Sequence, residues 1–178
     1  VEFALVAPIL ITMYLGMVEL SLGFGHSRKG TILARTLADL VTQSQSVSNA
    51  DMSAMFDATT AIVAPYPIIE ITLRVTSFRV DSKGSVYVDW SDVKNYARSG
   101  AAFTAMARCA DGSSILPKAL QVKGTSLVVS EAKIKHTPLL ASGAGFVTPF
   151  DVSEKFQMRP RLSNAVLREG VATTICPG

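Results

Sequence analysis

The chain has 178 residues, which is enough for one domain with one additional element and short for two ordinary domains. Hydrophobic residues make up 48% and charged residues 17%, a balance that leans toward membrane association, and the apolar excess lies mainly in the first two dozen residues. The net charge of +3 is small and spread along the chain. Nucleic-acid-binding proteins carry a denser cluster of basic residues, so we expect no nucleic-acid partner. The apolar composition leads us to expect a membrane environment.

Residues 3–24 form an apolar run in which Glu19 is the only charged residue. As an α-helix this run would be about 33 Å long, roughly the thickness of a hydrocarbon core. A secretory signal peptide is the competing interpretation, but its apolar part is usually about 7–15 residues long and ends at a small-residue cleavage site. Because the helical pattern continues past Gly25, we predict a retained transmembrane helix over residues 1–25 and an extracytoplasmic domain over residues 26–178. Pro8 is predicted to bend this helix.

Two further helical segments follow. Apolar residues recur at helical spacing beyond Gly25, which predicts that the first helix continues as an amphipathic helix over residues 26–45. A second helix is predicted over residues 51–64, because Ser48 and Asp51 have the spacing of a capping box and prolines follow the apolar face.

The sequence after the second predicted helix has the pattern of β-strands. Alternating apolar and polar side chains predict four strands, over residues 68–80, 85–90, 126–136 and 150–159. The apolar phase reverses near Ser77, which predicts a β-bulge there. Helices followed by strands indicate an α+β fold. A long N-terminal helix and a second helix packed on an antiparallel sheet form a pilin-like architecture.

The two cysteines, Cys109 and Cys176, are far apart and lack the spacing of a metal site. If the domain lies outside the cytoplasm, a disulfide between them is the natural interpretation, and it would stabilise the fold by roughly 4 kcal/mol through chain entropy. Two buried free thiols are the alternative.

No set of residues suggests catalysis. The chain has two histidines, His26 at the predicted membrane boundary and His136 at a strand end, and neither belongs to an assignable Ser–His–acid set. Asp89, Asp92 and Asp111 are predicted in loop-like contexts, but their spacing does not match a calcium-binding loop. We expect no enzymatic activity and no catalytic, cofactor-binding or metal-ligating residues.

Two groups of residues are candidates for surface contacts. The aromatic residues Phe78, Tyr87 and Trp90 are better explained as a hairpin core than as a ligand platform. The loop SGAGFVTPF is long and rich in glycine, and it is a possible partner-contact loop. Its candidate contact residues are Gly143, Gly145 and Phe146.

The opening VEFALVAPIL, followed by MVELSLGF, resembles the TadE/TadG family, minor pilin-like (pseudopilin) components of the tight-adherence (Tad, type IVc) pilus system. ILPKAL with KGTSLVVSEAKIKHTPLL resembles the middle block of the family, and EKFQMRPR resembles its late strand. The resemblance covers most of the chain, and the opening is its specific part. The short TadE-like form is the closer match, because the large C-terminal module of the longest TadG proteins does not fit in 178 residues.

The resemblance implies a maturation route. A prepilin carries a basic leader that prepilin peptidase cuts after a glycine, and the pilin glutamate is the fifth residue after the cut. If Glu2 is that glutamate, three mature residues precede Val1. A basic leader would also explain why Arg28 and Lys29 follow the apolar helix on its outer side, against the positive-inside tendency.

The resemblance also implies location and partners. The helix would lie in the bacterial inner membrane with the domain in the periplasm, and the protein would then reach the pilus or cell surface, with the pilus tip as one location. Its partners would be other minor pilin-like subunits, the major Flp-type pilin and the inner-membrane assembly platform.

Each glutamate of the apolar run has two interpretations. Glu2 is either a solvated residue at the membrane edge or an assembly glutamate that pairs with the α-amino group of a neighbouring subunit. Glu19 is either a residue of the outer membrane boundary or a pairing site for a basic group of another subunit.

We therefore expect a minor pilin-like subunit that primes pilus assembly or forms the pilus tip and has a role in adhesion. The alternative is a single-pass membrane-anchored periplasmic scaffold of a secretion or pilus machine that does not enter the filament.

Overall fold

The computed structural model describes residues 2–62, 71–96, 103–138, 149–172 and Cys176. The fold is α+β, as predicted, with a long N-terminal helix, a second helix and an antiparallel sheet, and it is consistent with a pilin-like fold. The elements in chain order are α1 (Glu2–Thr42), β1 (Ser46–Val47), α2 (Asn49–Ala61), β2 (Ile71–Val80), β3 (Val86–Asn95), a short 3-10 helix (Lys118–Leu120), β4 (Ser126–His136), β5 (Phe150–Met158) and β6 (Leu167–Arg168).

The first helix contains both predicted segments, the apolar one and the amphipathic one, in one long N-terminal helix, as predicted. It runs without interruption for 41 residues and includes Pro8, so the missing backbone hydrogen bond does not end it. The bend at Pro8 stays a prediction. The two ends of α1 differ in environment, because Leu33, Leu37 and Val41 are fully buried whereas the large apolar side chains before Glu19 are largely exposed.

The second helix begins at Asn49, two residues before its predicted start at residue 51. Ser48 is its N-cap, and both hydrogen bonds of the capping box are present: the Asp51 backbone N–H donates to Ser48 Oγ, and the Ser48 backbone N–H donates to Asp51 Oδ2. The Ser48 hydrogen bonds lower the pKa of Asp51. Residues 63–64 of the predicted helix lie outside the described residues.

The main sheet has the strand order β3-β2-β4-β5, and every neighbouring pair is antiparallel. The β2–β3 register shifts after Ser77, which lies opposite Trp90, while Phe78 lies opposite Val88. Asp89 is the extra residue of a β-bulge, so the predicted bulge is confirmed.

Strand β3 is longer than the sequence analysis predicted. It continues from Trp90 to Asn95 because these residues keep pairing with β2, as far as the Thr72–Asn95 pair. The prediction ended early because the apolar alternation stops at Trp90. Asp89 and Asp92 therefore lie in a strand, and their predicted loop-like context was wrong. Residues 68–70 of the first predicted strand lie outside the described residues.

The two faces of the sheet carry separate cores. On the helical face, Trp90 packs with Leu37 of α1 and Phe56 of α2. On the opposite face, the connection between β3 and β4 covers Phe78 and the residues around it. This connection also pairs with the outer edge of β3, where the Cys109 backbone N–H donates to the Val88 carbonyl. The aromatic residues of the hairpin are thus core residues.

The C-terminal tail belongs to the fold rather than trailing from it. Strand β6 pairs in parallel with β1, and the indole N–H of Trp90 donates to the Val166 carbonyl at 2.8 Å. A disulfide joins Cys109 to Cys176. The tail therefore closes one end of the helical core.

Candidate functional site

The predicted assembly residues lie on one helix. Glu2 is the first residue of α1, and Glu19 follows it by 17 positions, or about 25 Å along the helix axis. The predicted partner-contact residues Gly143, Gly145 and Phe146 lie outside the described residues.

The N-terminal part of α1 has the properties of a membrane anchor. Within Leu5–Thr42 it contains a segment long and apolar enough to cross a membrane, and none of that segment is buried in the protein. Within the described ranges it is the one helix with this property. A core helix of a soluble domain would bury most of such a segment, so the exposure fits an anchor that meets lipid or other helices.

A polar cluster lies where the sheet meets this helix. We call Glu19, His26, Ser27, His136 and Glu154 the junction cluster. His136 Nε2 is 3.3 Å from Glu19 Oε2, and His136 Nδ1 is 2.9 Å from His26 Nδ1. Ser27 Oγ donates to Glu154 Oε1 at 2.6 Å. Side chains at the end of β4 and in the middle of β5 thus bind side chains of α1.

Gly30 allows this close approach of α1 to β5. A Cβ atom at Gly30 would lie 2.9 Å from Cγ of Glu154, closer than ordinary packing permits. A larger residue would displace the Glu154 side chain that accepts the Ser27 hydrogen bond.

The junction cluster gives Glu19 a partner within its own chain. Sequence reasoning missed it because His136 lies 117 positions away, and only the strand registers bring the two together. The predicted pairing of Glu19 with another subunit stays a hypothesis.

An apolar groove adjoins the junction cluster. It has a volume of about 780 Å³ and lies between one face of α1 and the sheet end. Gly16 and Gly23 belong to the helix face, and no atom lies within 4 Å of a Cβ built at either position. His136, Pro138 and Phe150 form the other wall.

The aspartates considered as cation ligands have other partners. Asp89 pairs with Arg79 at 2.8 Å, and Asp92 pairs with Arg168 at 2.8 Å. Asp111 accepts hydrogen bonds from Ser113, which lower the pKa of its carboxyl. Over the described part of the chain, no group of three His, Cys, Asp or Glu residues could hold a metal ion.

Another titratable contact joins α2 to the end of β3. The hydroxyl of Tyr96 donates to Asp57 Oδ1 at 3.0 Å, and burial raises the pKa of Tyr96 to about 12. Lys94 also pairs with Asp57, at 3.4 Å. These contacts hold α2 against the end of β3.

Comparison with known families supports the resemblance of the opening. Residues 1–29 match the family model of TadE-like proteins. Comparison with curated proteins and with solved structures gave no match. The matched segment includes Glu2, Glu19 and His26, and it is the opening on which the resemblance rested. The resemblance is confirmed: the N-terminal part of α1 is similar to TadE-like, pilin-related proteins.

Proposed function

We propose that this chain is a minor pilin-like subunit of a Tad-type pilus that primes filament assembly or forms the pilus tip. The observation that carries the proposal is the division of α1. Its TadE-like N-terminal part presents apolar side chains to the surroundings, and its C-terminal part is buried against the sheet. A subunit built this way can exchange lipid for other helices without unfolding its domain.

Assembly would be non-covalent. Before assembly, the exposed part of α1 would lie in the inner membrane with the α+β domain in the periplasm. In the filament, the same apolar surface would pack against other pilin-like helices, and the groove beside Gly16 and Gly23 would admit a close neighbour. The partners we propose are other minor pilins, the major Flp-type pilin and the assembly platform, with prepilin peptidase acting during maturation.

Glu2 would provide the register between subunits. A carboxylate in or near the bilayer is unfavourable unless a cation pairs with it, and the α-amino group of a neighbouring subunit would be such a cation. Because this pair forms at one axial offset, it would select one arrangement of the two helices. The proposed role therefore depends on the charge of Glu2 and not on its size.

The size of the domain supports a terminal position. The domain contains two cores and a C-terminal tail that pairs with it, so it is much bulkier than a single helix. Such a unit suits the end of a thin filament better than its repeating wall, which supports an initiator or a tip subunit.

The test is Glu2→Gln in a piliated strain, with Glu169→Gln as the matched control. Glu169 lies in the exposed tail and undergoes the same chemical change. We expect Glu2→Gln to lower the amount of the protein in sheared pili by about tenfold, the factor that corresponds to about 1.4 kcal/mol. The control should leave it unchanged.

Unchanged incorporation and unchanged pilus number in Glu2→Gln would overturn the assembly role. If the wild-type protein stays in the membrane fraction while piliation requires it, a membrane-anchored scaffold replaces the filament subunit.

A further inference from the structure

The two histidines of this chain touch each other. They are the only histidines in the sequence and lie 110 positions apart. Their Nδ1 atoms are 2.9 Å apart, and their ring centroids are 4.8 Å apart. His136 is only 3% exposed, and its other nitrogen faces Glu19. We call His26 and His136 the histidine pair.

The contact between the Nδ1 atoms fixes how many protons the pair can hold. A hydrogen bond between two ring nitrogens needs one proton between them, so one ring donates and the other accepts. A charged imidazolium carries N–H on both nitrogens. The pair can therefore hold one imidazolium, with the neutral ring as acceptor. Two imidazolium rings would direct two N–H groups and two positive charges at each other.

Charged groups of both signs surround the histidine pair. From α1, Glu19 faces His136, and Lys29 lies one turn beyond His26. From β5, Glu154 accepts the Ser27 hydrogen bond and Phe150 lies against the His136 ring. On β4, Lys135 adjoins His136 in sequence. Burial, the charge of His136 and the charge of Lys29 lower the pKa of His26, which lies beyond the apolar run.

We propose that the histidine pair is a pH-sensitive latch, which holds the ends of β4 and β5 against α1 and opens when both imidazoles are protonated. The closed form binds one proton fewer than the open form in acid. The equilibrium between closed and open forms therefore shifts toward opening as the pH falls below about 6.5, the ordinary pKa of histidine, by up to about tenfold per pH unit. Above that value the open form no longer gains the additional proton, and the latch stays closed.

Opening would be local. The helical core, which includes Leu37 and Val128, lies farther along α1 and contains no histidine. Loss of the latch would free the helix face around residues 19–27 while the domain stays folded, a sub-global opening. This inference concerns the isolated chain and does not depend on the pilus role.

The experiment uses the full chain in lipid nanodiscs, labelled with nitrogen-15 at histidine. Because the chain has two histidines, each imidazole gives an assignable signal across pH 5 to 8. Amide hydrogen exchange of residues 134–136, corrected for the intrinsic pH dependence, reports the opening of the β4 end. We expect coupled titration of the two rings and a loss of protection of about fivefold between pH 6.5 and 5.5.

A non-titrating variant separates the latch from general acid sensitivity. His26→Asn keeps a hydrogen-bonding group near the Nδ1 position and cannot become charged in this range. We expect its protection to be independent of pH. Arg28→Gln removes a positive charge from the same helical turn and leaves both rings in place, so it should behave as the wild type does.

Two results would overturn the proposal. The first is independent titration of the two wild-type rings near the ordinary value, with constant protection at the end of β4. The second is an unchanged pH dependence of protection in His26→Asn. The wild-type titration decides the question by itself if the variant does not fold.

Discussion

Gly112 illustrates how a single residue sets the packing of the second sheet face. It lies in the connection that covers this face, and its backbone N–H donates to the Val86 carbonyl at 3.0 Å. A Cβ atom at this position would overlap the ring of Phe78 and lie 3.1 Å from Cγ1 of Val86. Because Phe78 is fully buried, its ring has no free space to enter.

We therefore expect Gly112→Ala to lower the free energy of unfolding by about 1–3 kcal/mol, the usual cost of overpacking a core. Urea unfolding of the full chain in detergent, followed by circular dichroism, measures this change. The matched control is Gly25→Ala, because no atom lies within 4 Å of a Cβ built at that helical position. A Gly112→Ala protein as stable as the control would contradict the packing argument.

Residue contacts could be predicted from the sequence only where a local signal exists. The Ser48–Asp51 capping box depends on a spacing of three, and it was predicted correctly. The disulfide was open to prediction because the chain has two cysteines. The contact between His26 and His136 has no local signal, since it requires the β4–β5 register and the placement of α1 on the sheet.

At the scale of elements, the C-terminal tail is fastened by a buried arginine. Arg168 Nε donates to Asp92 Oδ2 at 2.8 Å, and its other nitrogens reach the Val47 carbonyl and Asn49 Oδ1. One side chain thus joins the tail to β3, β1 and the start of α2. The Arg168 side chain is 8% exposed. If the side chain is removed, water can therefore replace few of the hydrogen bonds that it makes.

The tail contains a second arginine that serves as a comparison. Arg161 pairs with Asp39, and its side chain is 52% exposed. We expect Arg168→Met to lower the free energy of unfolding by about 2–3 kcal/mol, because it leaves Asp92 without its partner. Arg161→Met should cost less than about 1 kcal/mol. Equal losses in urea unfolding of the two full-length variants would show that burial does not decide the strength of these pairs.

A helix or strand could be predicted where its packing requires apolar residues at a regular spacing. In strand β2, Ile71, Leu73 and Val75 alternate toward the core on the helical face, and beyond the bulge Phe78 and Val80 alternate toward the core on the opposite face. Strands β1 and β6 contain two residues each, which is too few to show an alternation of apolar and polar residues. The connection over the second face packs irregularly through Met106, Ile115 and Leu120, which explains why no pattern was readable there.

At the scale of the whole molecule, the junction cluster marks how far the domain reaches along α1. Its contact nearest the N-terminus is Glu19 with His136. Residues 3–18 precede this contact and would form about 24 Å of helix. The sequence placed the end of the apolar run near residue 24 but could not show that the sheet end overlaps its last residues. The part of α1 available to lipid on all sides is therefore shorter than composition indicates.

This division predicts different responses to the same charge at two exposed apolar positions of α1. Leu10 is 57% exposed and Ile32 is 43% exposed, so neither substitution creates a cavity in the domain. Leu10 lies in the middle of residues 3–18, where a lysine in the bilayer costs about 2.5–3.5 kcal/mol on insertion scales. Ile32 lies beyond the junction cluster, where a lysine would meet water.

We expect Leu10→Lys to move much of the protein out of the carbonate-resistant membrane fraction, and Ile32→Lys to leave the fractionation unchanged. Immunoblots of membrane and soluble fractions provide the measurement. If both variants stay in the membrane, residues 3–18 are not the anchor. If both leave it, the hydrocarbon core extends past the junction cluster, and the ends of β4 and β5 would then have to lie in lipid. The charged side chains of Asp151 and Lys155 on β5 make that second arrangement unfavourable.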